Sequence, residues 1–257
     1  MTPFSYFRPR RDLPRLLAAA RSELGAVAAL MVVAGGLLAF LHVSEEVAEG
    51  DTGAFDLAVL KALRLPGDPN SLIGPKWLHV AATDITALGS ITVLGLIVLL
   101  AVVFLASLRR WSEALVVLAG AGGGVAISQS LKQLFGRERP DLAYRAVEAA
   151  NPSFPSGHAM LSAVVFLTLG ALAARFSDRR RIKALALSSG VLLSVLVGLS
   201  RIYLGVHWTS DVLGGWSLGA AWAMACWMAA WAWERKFRPS PNGGGVGGAD
   251  GGGSFTG

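Results

Sequence analysis

Ile85-Thr-Ala-Leu-Gly-Ser-Ile-Thr-Val-Leu-Gly-Leu-Ile-Val-Leu-Leu-Ala-Val-Val-Phe-Leu-Ala-Ser-Leu108 runs for 24 residues without a charge. A helix needs about 20 apolar residues to cross the hydrocarbon of a bilayer, so this stretch is long enough to span. Five further uncharged runs lie on either side of it: Leu24 to Leu41, Ala114 to Leu131, Ala159 to Ala174, Ala184 to Ser200 and Val212 to Trp233. The shortest, Ala159 to Ala174, gains length if its helix begins near Ser156. Leu24 to Leu41 follows Arg8, Arg10, Arg11, Arg15 and Arg21, as a signal peptide would, but its 18 residues exceed a usual signal core. His42-Val-Ser-Glu-Glu after it offers no small-x-small cleavage site, so it reads as an uncleaved first span.

Composition agrees with a membrane protein. The 257 residues are 53% hydrophobic and only 16% charged, with a mean hydropathy of +0.53. An ordinary soluble domain is neither so apolar nor so poor in charge. A net charge of +6 could suggest nucleic acid, but the basic residues are distributed among the hydrophobic spans, where they report topology, so no nucleic-acid partner is expected. A single cysteine, Cys226, excludes a disulfide framework and a thiolate metal site.

Charge also orients the chain. With both termini inside, 15 of the 23 Lys and Arg fall in inner segments and eight in outer ones. The first outer loop holds Glu45, Glu46, Glu49, Asp51, Asp56 and Asp68. Both termini are therefore expected in the cytoplasm, in a multi-pass cell (inner) membrane. The expected fold class is all-α: a six-transmembrane-helix bundle with a short outer interfacial helix, Phe55 to Leu65, and a disordered C-terminal tail. The organisation is a cytoplasmic N-terminal segment (1–22), one six-span domain (23–233) and a glycine-rich cytoplasmic tail (234–257) that cannot bury a core.

Three segments at outer ends of these spans carry chemistry. Lys132 ends the third span, and Arg139-Pro140 follows; on a continuing helix the seven-residue spacing would put both cations on one side. Asn151-Pro-Ser-Phe-Pro-Ser-Gly-His leads into the fourth span, with Ser156 as N-cap, Gly157 open to close approach and His158 in the first turn. A helix start of that kind presents free N–H groups to an anion. Ser200-Arg-Ile-Tyr-Leu-Gly-Val-His-Trp-Thr-Ser-Asp211 sets His207 and Asp211 four apart, so the carboxylate can orient one ring nitrogen and leave the other free to attack. Arg201 in the same stretch suits a phosphate better than hydrocarbon. Each segment alone fits a capped helix or a basic cluster at the headgroups. Together they collect three cations, a helix N-terminus and two histidines, as a phosphoryl-transfer site without metal requires.

Lys132, six residues, Arg139-Pro140; Pro155-Ser156-Gly157-His158; and Ser200-Arg201, five residues, His207, three residues, Asp211 resemble the three-part signature of the type 2 phosphatidic acid phosphatase superfamily, bacterial membrane branch. Thr83 to Ser90 also looks like the opening of the second span in bacterial members. The resemblance implies that His207 attacks phosphorus, Asp211 orients it, and His158 protonates the leaving group. It further implies that Lys132, Arg139 and Arg201, with Ser156 and the Gly157 backbone, hold the phosphoryl oxygens. The activity so implied is metal-independent hydrolysis of a lipid phosphate monoester or pyrophosphate at the outer, periplasmic face, with no cofactor. Its expected partners are the lipid substrate and the bilayer; oligomeric state is unknown from the sequence. Phosphoryl transfer between lipids, or a bundle that merely binds or carries anionic lipid, are the alternatives. Against the second stands the His207 and Asp211 pair, which binding alone does not need.

Overall fold

The computed structural model describes residues 9–149 and 151–237, with side chains from 24 to 149 and from 151 to 236. Eight helices make up most of it: α1 (Pro9–Glu49), α2 (Gly53–Ala62), α3 (Lys76–Ala87), α4 (Ile91–Ser107), α5 (Trp111–Phe135), α6 (Gly157–Arg175), α7 (Arg180–Tyr203) and α8 (Thr209–Phe237). A small antiparallel hairpin, β1 (Arg64–Leu65) with β2 (Asp68–Leu72), and a 3-10 turn at Leu142–Tyr144 lie in the connections. Helices α1, α5, α6, α7 and α8 are each long and apolar enough to cross a bilayer, and α3 with α4 passes the same test as a bent pair, which makes six if the pair is one span. The protein is thus a multi-pass all-α bundle. Helix α1 begins at Pro9, within the segment expected to precede the first span, and residues 238–257 of the expected tail lie outside the described residues.

The stretch from Ile85 to Leu108 is not one helix, because α3 and α4 meet at an angle of 51°. The reason is local. Ser90 is extended and its Oγ accepts the Val93 N–H at 3.2 Å, which starts a new helix. Just before it, the N–H groups of Leu88, Gly89 and Ser90 bond to carbonyls three residues back, the tightened last turn of a helix that is ending. Gly89 fits the corner because a Cβ there would stand 2.4 Å from Cγ1 of Val197.

Helix α6 is the axis, packed against α4, α5, α7 and α8, while α1 lies outside on α8. In lipid there is little hydrophobic drive between helices, so close approach of small residues must supply the contact. Gly190 of α7 and Gly219 of α8 do this: an added Cβ would lie 2.5 Å from the Phe166 carbonyl oxygen and 2.6 Å from that of Met160. Helix α4 shows the complementary surface. Leu94, Val98 and Leu105 face Val117, Leu161 and Val165, whereas Leu96, Leu99, Leu100, Val103 and Phe104 point outward to the hydrocarbon.

The interfacial helix is α2, starting two residues earlier than expected and followed by β1. Its outer side exposes Phe55 and Leu57, as a helix lying at the headgroups should. Its inner side departs from that picture: Asp56 and Leu60 are buried, and Asp56 reaches into the end of the bundle.

Gly190→Val should lower unfolding stability in detergent micelles by about 1–3 kcal/mol, the usual range for overpacking a tight contact. Gly95→Ala should be neutral or stabilising, since nothing lies within 4 Å of a Cβ there. Thermal unfolding of the two variants beside the wild type measures the difference.

Candidate active site

The C-terminal ends of α5 and α7 and the N-terminal ends of α6 and α8 meet at one end of the bundle. His207 lies just before α8, and Asp211 sits in its first turn. The Asp211 Oδ2 accepts the Trp208 N–H at 2.9 Å, as an acidic residue does when it reaches back over the start of its own helix. The same oxygen lies 3.2 Å from His207 Nδ1 and accepts the Ser153 hydroxyl. A carboxylate facing Nδ1 places the ring proton there and leaves the lone pair on Nε2. That nitrogen stands 3.0 Å from Arg139 Nη1.

The other Asp211 oxygen leads to residues that the sequence reading did not single out. Arg137 Nη1 donates to Asp211 Oδ1 and to Ser210 Oγ, both at 2.7 Å. Its Nη2 donates to Asp56 Oδ2 and Thr52 Oγ1, both at 2.9 Å. Asp56 in turn accepts the Ser210 N–H at 2.9 Å and the Ser210 hydroxyl at 2.5 Å, so a carboxylate on α2 caps the first turn of α8. Two signals pointed this way: Arg137 precedes Arg139 by two in Gly-Arg-Glu-Arg-Pro, and Asp56 interrupts the apolar face of α2. Neither has a spacing that gives it a partner.

Lys132 and Arg139 do not share a helix face. Helix α5 stops at Phe135, where Gly136 takes a left-handed conformation (φ 55°) and its N–H closes on the Lys132 carbonyl at 3.1 Å. Arg139 therefore reaches the site from the irregular segment after α5. There its Nε donates to Asn151 O and its Nη1 to Val206 O, both at 2.6 Å. Lys132 Nζ donates to Pro152 O at 2.6 Å, which ties the end of α5 to the loop before α6. That loop is anchored from below by Phe154, fully buried, with Phe135 edge-on at 4.8 Å and Phe40 stacked at 5.8 Å.

Ser156 is extended and caps α6, its Oγ accepting the Ala159 N–H at 3.5 Å while its own N–H bonds to Asp211 O at 2.9 Å. Gly157 opens the helix against α5, where a Cβ would sit 3.4 Å from Ser128 Oγ and 3.7 Å from Lys132 Cε. His158 follows in the first turn, and Gly89 leaves room for its ring: a Cβ at residue 89 would be 3.1 Å from Cδ2. From α7, Arg201 Nη1 donates to Thr86 Oγ1 at 3.2 Å, while its buried Nε has no protein partner. Thr86 and Gly89 give structural work to the Thr83 to Ser90 stretch, which the sequence left without a role. Behind α7, Gly205 turns the chain at φ 70°, where a Cβ would strike Tyr144 O at 2.0 Å and the Arg64 guanidinium at 2.2 Å. Arg64 from β1 bonds to the Tyr144 and Tyr203 carbonyls and so holds the loop against the end of α7.

All eight residues singled out in the sequence converge at this end. Burial, and then the positive charges of Arg139, Arg201 and Lys132 with His158 beside them, push the His207 ring well below the usual imidazole range. It is a neutral imidazole among cations, with Asp211 behind it. Burial also lowers the Arg139 guanidinium, which remains a cation at neutral pH. An oxyanion set between these groups would find a helix N-terminus, unspent guanidinium donors and the His207 Nε2 at one end of the bundle.

Residues 113–235 match the PAP2 superfamily. Phosphatidylglycerophosphatase B of Bacillus subtilis is 35% identical over 151 residues, covering 58% of this chain and 73% of that protein. Decaprenylphosphoryl-5-phosphoribose phosphatase of Mycobacterium tuberculosis is 40% identical over 115 residues, 44% of this chain and 58% of its own. The crystal structure of a transmembrane PAP2-type phosphatidylglycerolphosphate phosphatase from Bacillus subtilis superposes with a TM-score of 0.70 at 29% identity, covering 81% of this chain and 98% of that one. With its three signature segments brought to one end of a multi-pass helical bundle, and with these relatives, the chain belongs to the PAP2 superfamily of membrane phosphatases.

Proposed function

We propose that the protein hydrolyses the phosphate monoester or pyrophosphate of a membrane lipid through a phosphohistidine on His207, at the outer face of the membrane. The observation that carries this reading is the setting of the His207 ring, with Nδ1 on Asp211 and Nε2 turned to Arg139. Phosphoryl oxygens bound by Arg139 would lie against that lone pair, with Arg201 Nε and Lys132 completing the charge. Attack by Nε2 forms the N–P bond as the P–O bond to the lipid breaks, and the leaving oxygen takes a proton from His158. Water then attacks the phosphohistidine, His158 receives its proton, and the N–P bond breaks to return His207. Asp211 offsets the positive charge that develops on the ring.

The substrate class follows from where the site lies. A phosphate at the ends of spans can be reached by a headgroup whose tails stay in the bilayer. Phosphatidylglycerol phosphate is the first candidate, because the relative that this chain covers by more than two thirds is a phosphatidylglycerophosphatase. Phosphatidic acid, polyprenyl pyrophosphate and a lipid A phosphate share the required group. Phosphate release by purified protein over these four lipids, with EDTA present, tests both the substrate order and the metal-free chemistry. Activity that appears only with added Mg²⁺ or Zn²⁺ would overturn the mechanism.

Loss of His207 should abolish turnover on every substrate. His158→Ala should cost about 10²- to 10⁴-fold on an alkoxide leaving group and much less on an aryl phosphate, whose phenolate leaves without help. Asp211→Asn should fall between. Equal losses of His158→Ala on both leaving groups would reject its role as the acid.

The pH dependence has a definite sign. The nucleophile must be neutral, and its protonation is disfavoured by burial and by Arg139, Arg201, Lys132 and His158, with Asp211 acting the other way. The acid limb of kcat/KM should therefore lie below pH 6.5, the ordinary value for histidine. Arg139→Gln removes one of the opposing charges and should move that limb to higher pH while lowering the plateau.

The outer placement rests on the excess of Lys and Arg in the opposite segments. In a Cys226→Ser background, a cysteine at the exposed Glu148 should react with an impermeant thiol reagent on intact cells, and one at the exposed Arg180 should react only after lysis.

A further inference from the structure

Asp56 lies 155 positions before Asp211 in the chain, on a helix outside the three signature segments, and both carboxylates hold the same guanidinium. Their side chains are fully shielded from solvent, and the Arg137 side chain is 16% exposed. Nothing in the hydrophobic packing requires this. A buried arginine between two buried carboxylates is expensive to desolvate and is retained where geometry or charge matters. Here it fixes both. Arg137 takes up Asp211 Oδ1, so that Oδ2 alone faces His207 Nδ1. Asp56 holds Arg137 from the far side, and through the Ser210 N–H and hydroxyl it also holds the first turn of α8, one residue before Asp211.

The geometry points to Asp56 and Arg137 as positioning residues for the reaction, a relay by which the interfacial helix α2 sets the orientation and charge of Asp211 and, through it, of His207. Neither touches the phosphoryl group; both act through Asp211. Arg137 satisfies one carboxylate oxygen and balances its charge while the imidazole is neutral. As the ring becomes cationic during attack, the carboxylate is already aligned to receive it. Asp56 prevents the guanidinium from swinging out to solvent or to the incoming phosphate, which would otherwise compete for it. Helix α2 is thus part of the catalytic unit, with Phe55 and Leu57 on its outer side in the lipid interface and Asp56 on its inner side in the relay.

This inference rests on the phosphohistidine reading above, and one set of variants separates the two. The measurements are kcat and KM on an aryl phosphate and on phosphatidylglycerol phosphate, the level of acid-labile phosphoenzyme in rapid quench, and thermal unfolding in detergent. Asp56→Asn and Arg137→Gln should each lower kcat and the rate of phosphoenzyme formation by about 10- to 100-fold, the range seen when a partner that orients a metal-ligating histidine is lost, with KM nearly unchanged. Because the two act as one unit, the double variant should be no slower than Arg137→Gln alone. Arg137→Lys keeps the charge without the two-sided fork and should recover part of the rate, and it serves in place of Arg137→Gln if that variant does not fold. Wild-type kcat in folded Asp56→Asn and Arg137→Lys would overturn the relay, as would losses that appear in KM or that match the fraction unfolded. His207→Ala is the control: if it is inactive while Asp56→Asn is normal, only the relay fails, and if it is active, the phosphohistidine reading itself fails.

Discussion

Asp211 takes donors from four places at once: the Trp208 backbone, the Ser153 hydroxyl, the Arg137 guanidinium and the His207 ring. A carboxylate removed from water at the end of an apolar bundle must be satisfied in this way, because each unpaired lone pair there would be left without solvent. The donors come from the loop before α6, the segment after α5 and the start of α8, so the one carboxylate draws three chain segments together. Cations gather around it for the complementary reason. Lys132, Arg139 and Arg201 spend some of their donors on backbone carbonyls and on Thr86, which sustains their burial and still leaves charge for an anion.

The bundle and the site were legible to different depths. Hydropathy over six uncharged runs was enough for the crossings, since membrane helices must satisfy their own backbone and therefore announce themselves by length. The signature residues were legible because their types and spacings are rarely met together. Three features were not. The corner at Gly89 lies inside an unbroken apolar run, and only the Ser90 cap and the contact with Val197 make it a break; hydropathy carries no information on either. The reach of Arg139 was read as a helical spacing, whereas Gly136 ends α5 and tertiary contacts with Asn151 and Val206 place the side chain. Arg137 and Asp56 escaped for a further reason. Their pairing joins distant segments, and a charge in a loop looks the same in sequence whether it is solvated or buried.

The interfacial helix illustrates how a membrane enzyme can use an amphipathic segment twice. Its apolar outer residues suit the headgroup boundary, as the charge-interrupted pattern suggested, while one acidic residue turns inward to cap α8 across the bundle end. A capping carboxylate supplied in trans orders two elements with one group, and it leaves the first turn of α8 dependent on a helix that sits where lipid and water meet.

The close glycine contacts of α6 with α7 and α8 have a meaning beyond packing. Gly170, Gly190, Gly215 and Gly219 set backbone against backbone, where a Cβ would lie between 2.5 and 2.8 Å from a carbonyl oxygen. Backbone packed on backbone leaves no flexible side chain between the helices to take up a shift. A slip of a single residue moves a helix by about 1.5 Å, half the separation of a hydrogen bond. His158 belongs to α6, Arg201 to α7 and Asp211 to α8, so their alignment is a question of axial phase among three rods. The glycine contacts hold the three backbones at short separations, so the spacing of the groups they carry is set within the bundle and not only by the loops at its end.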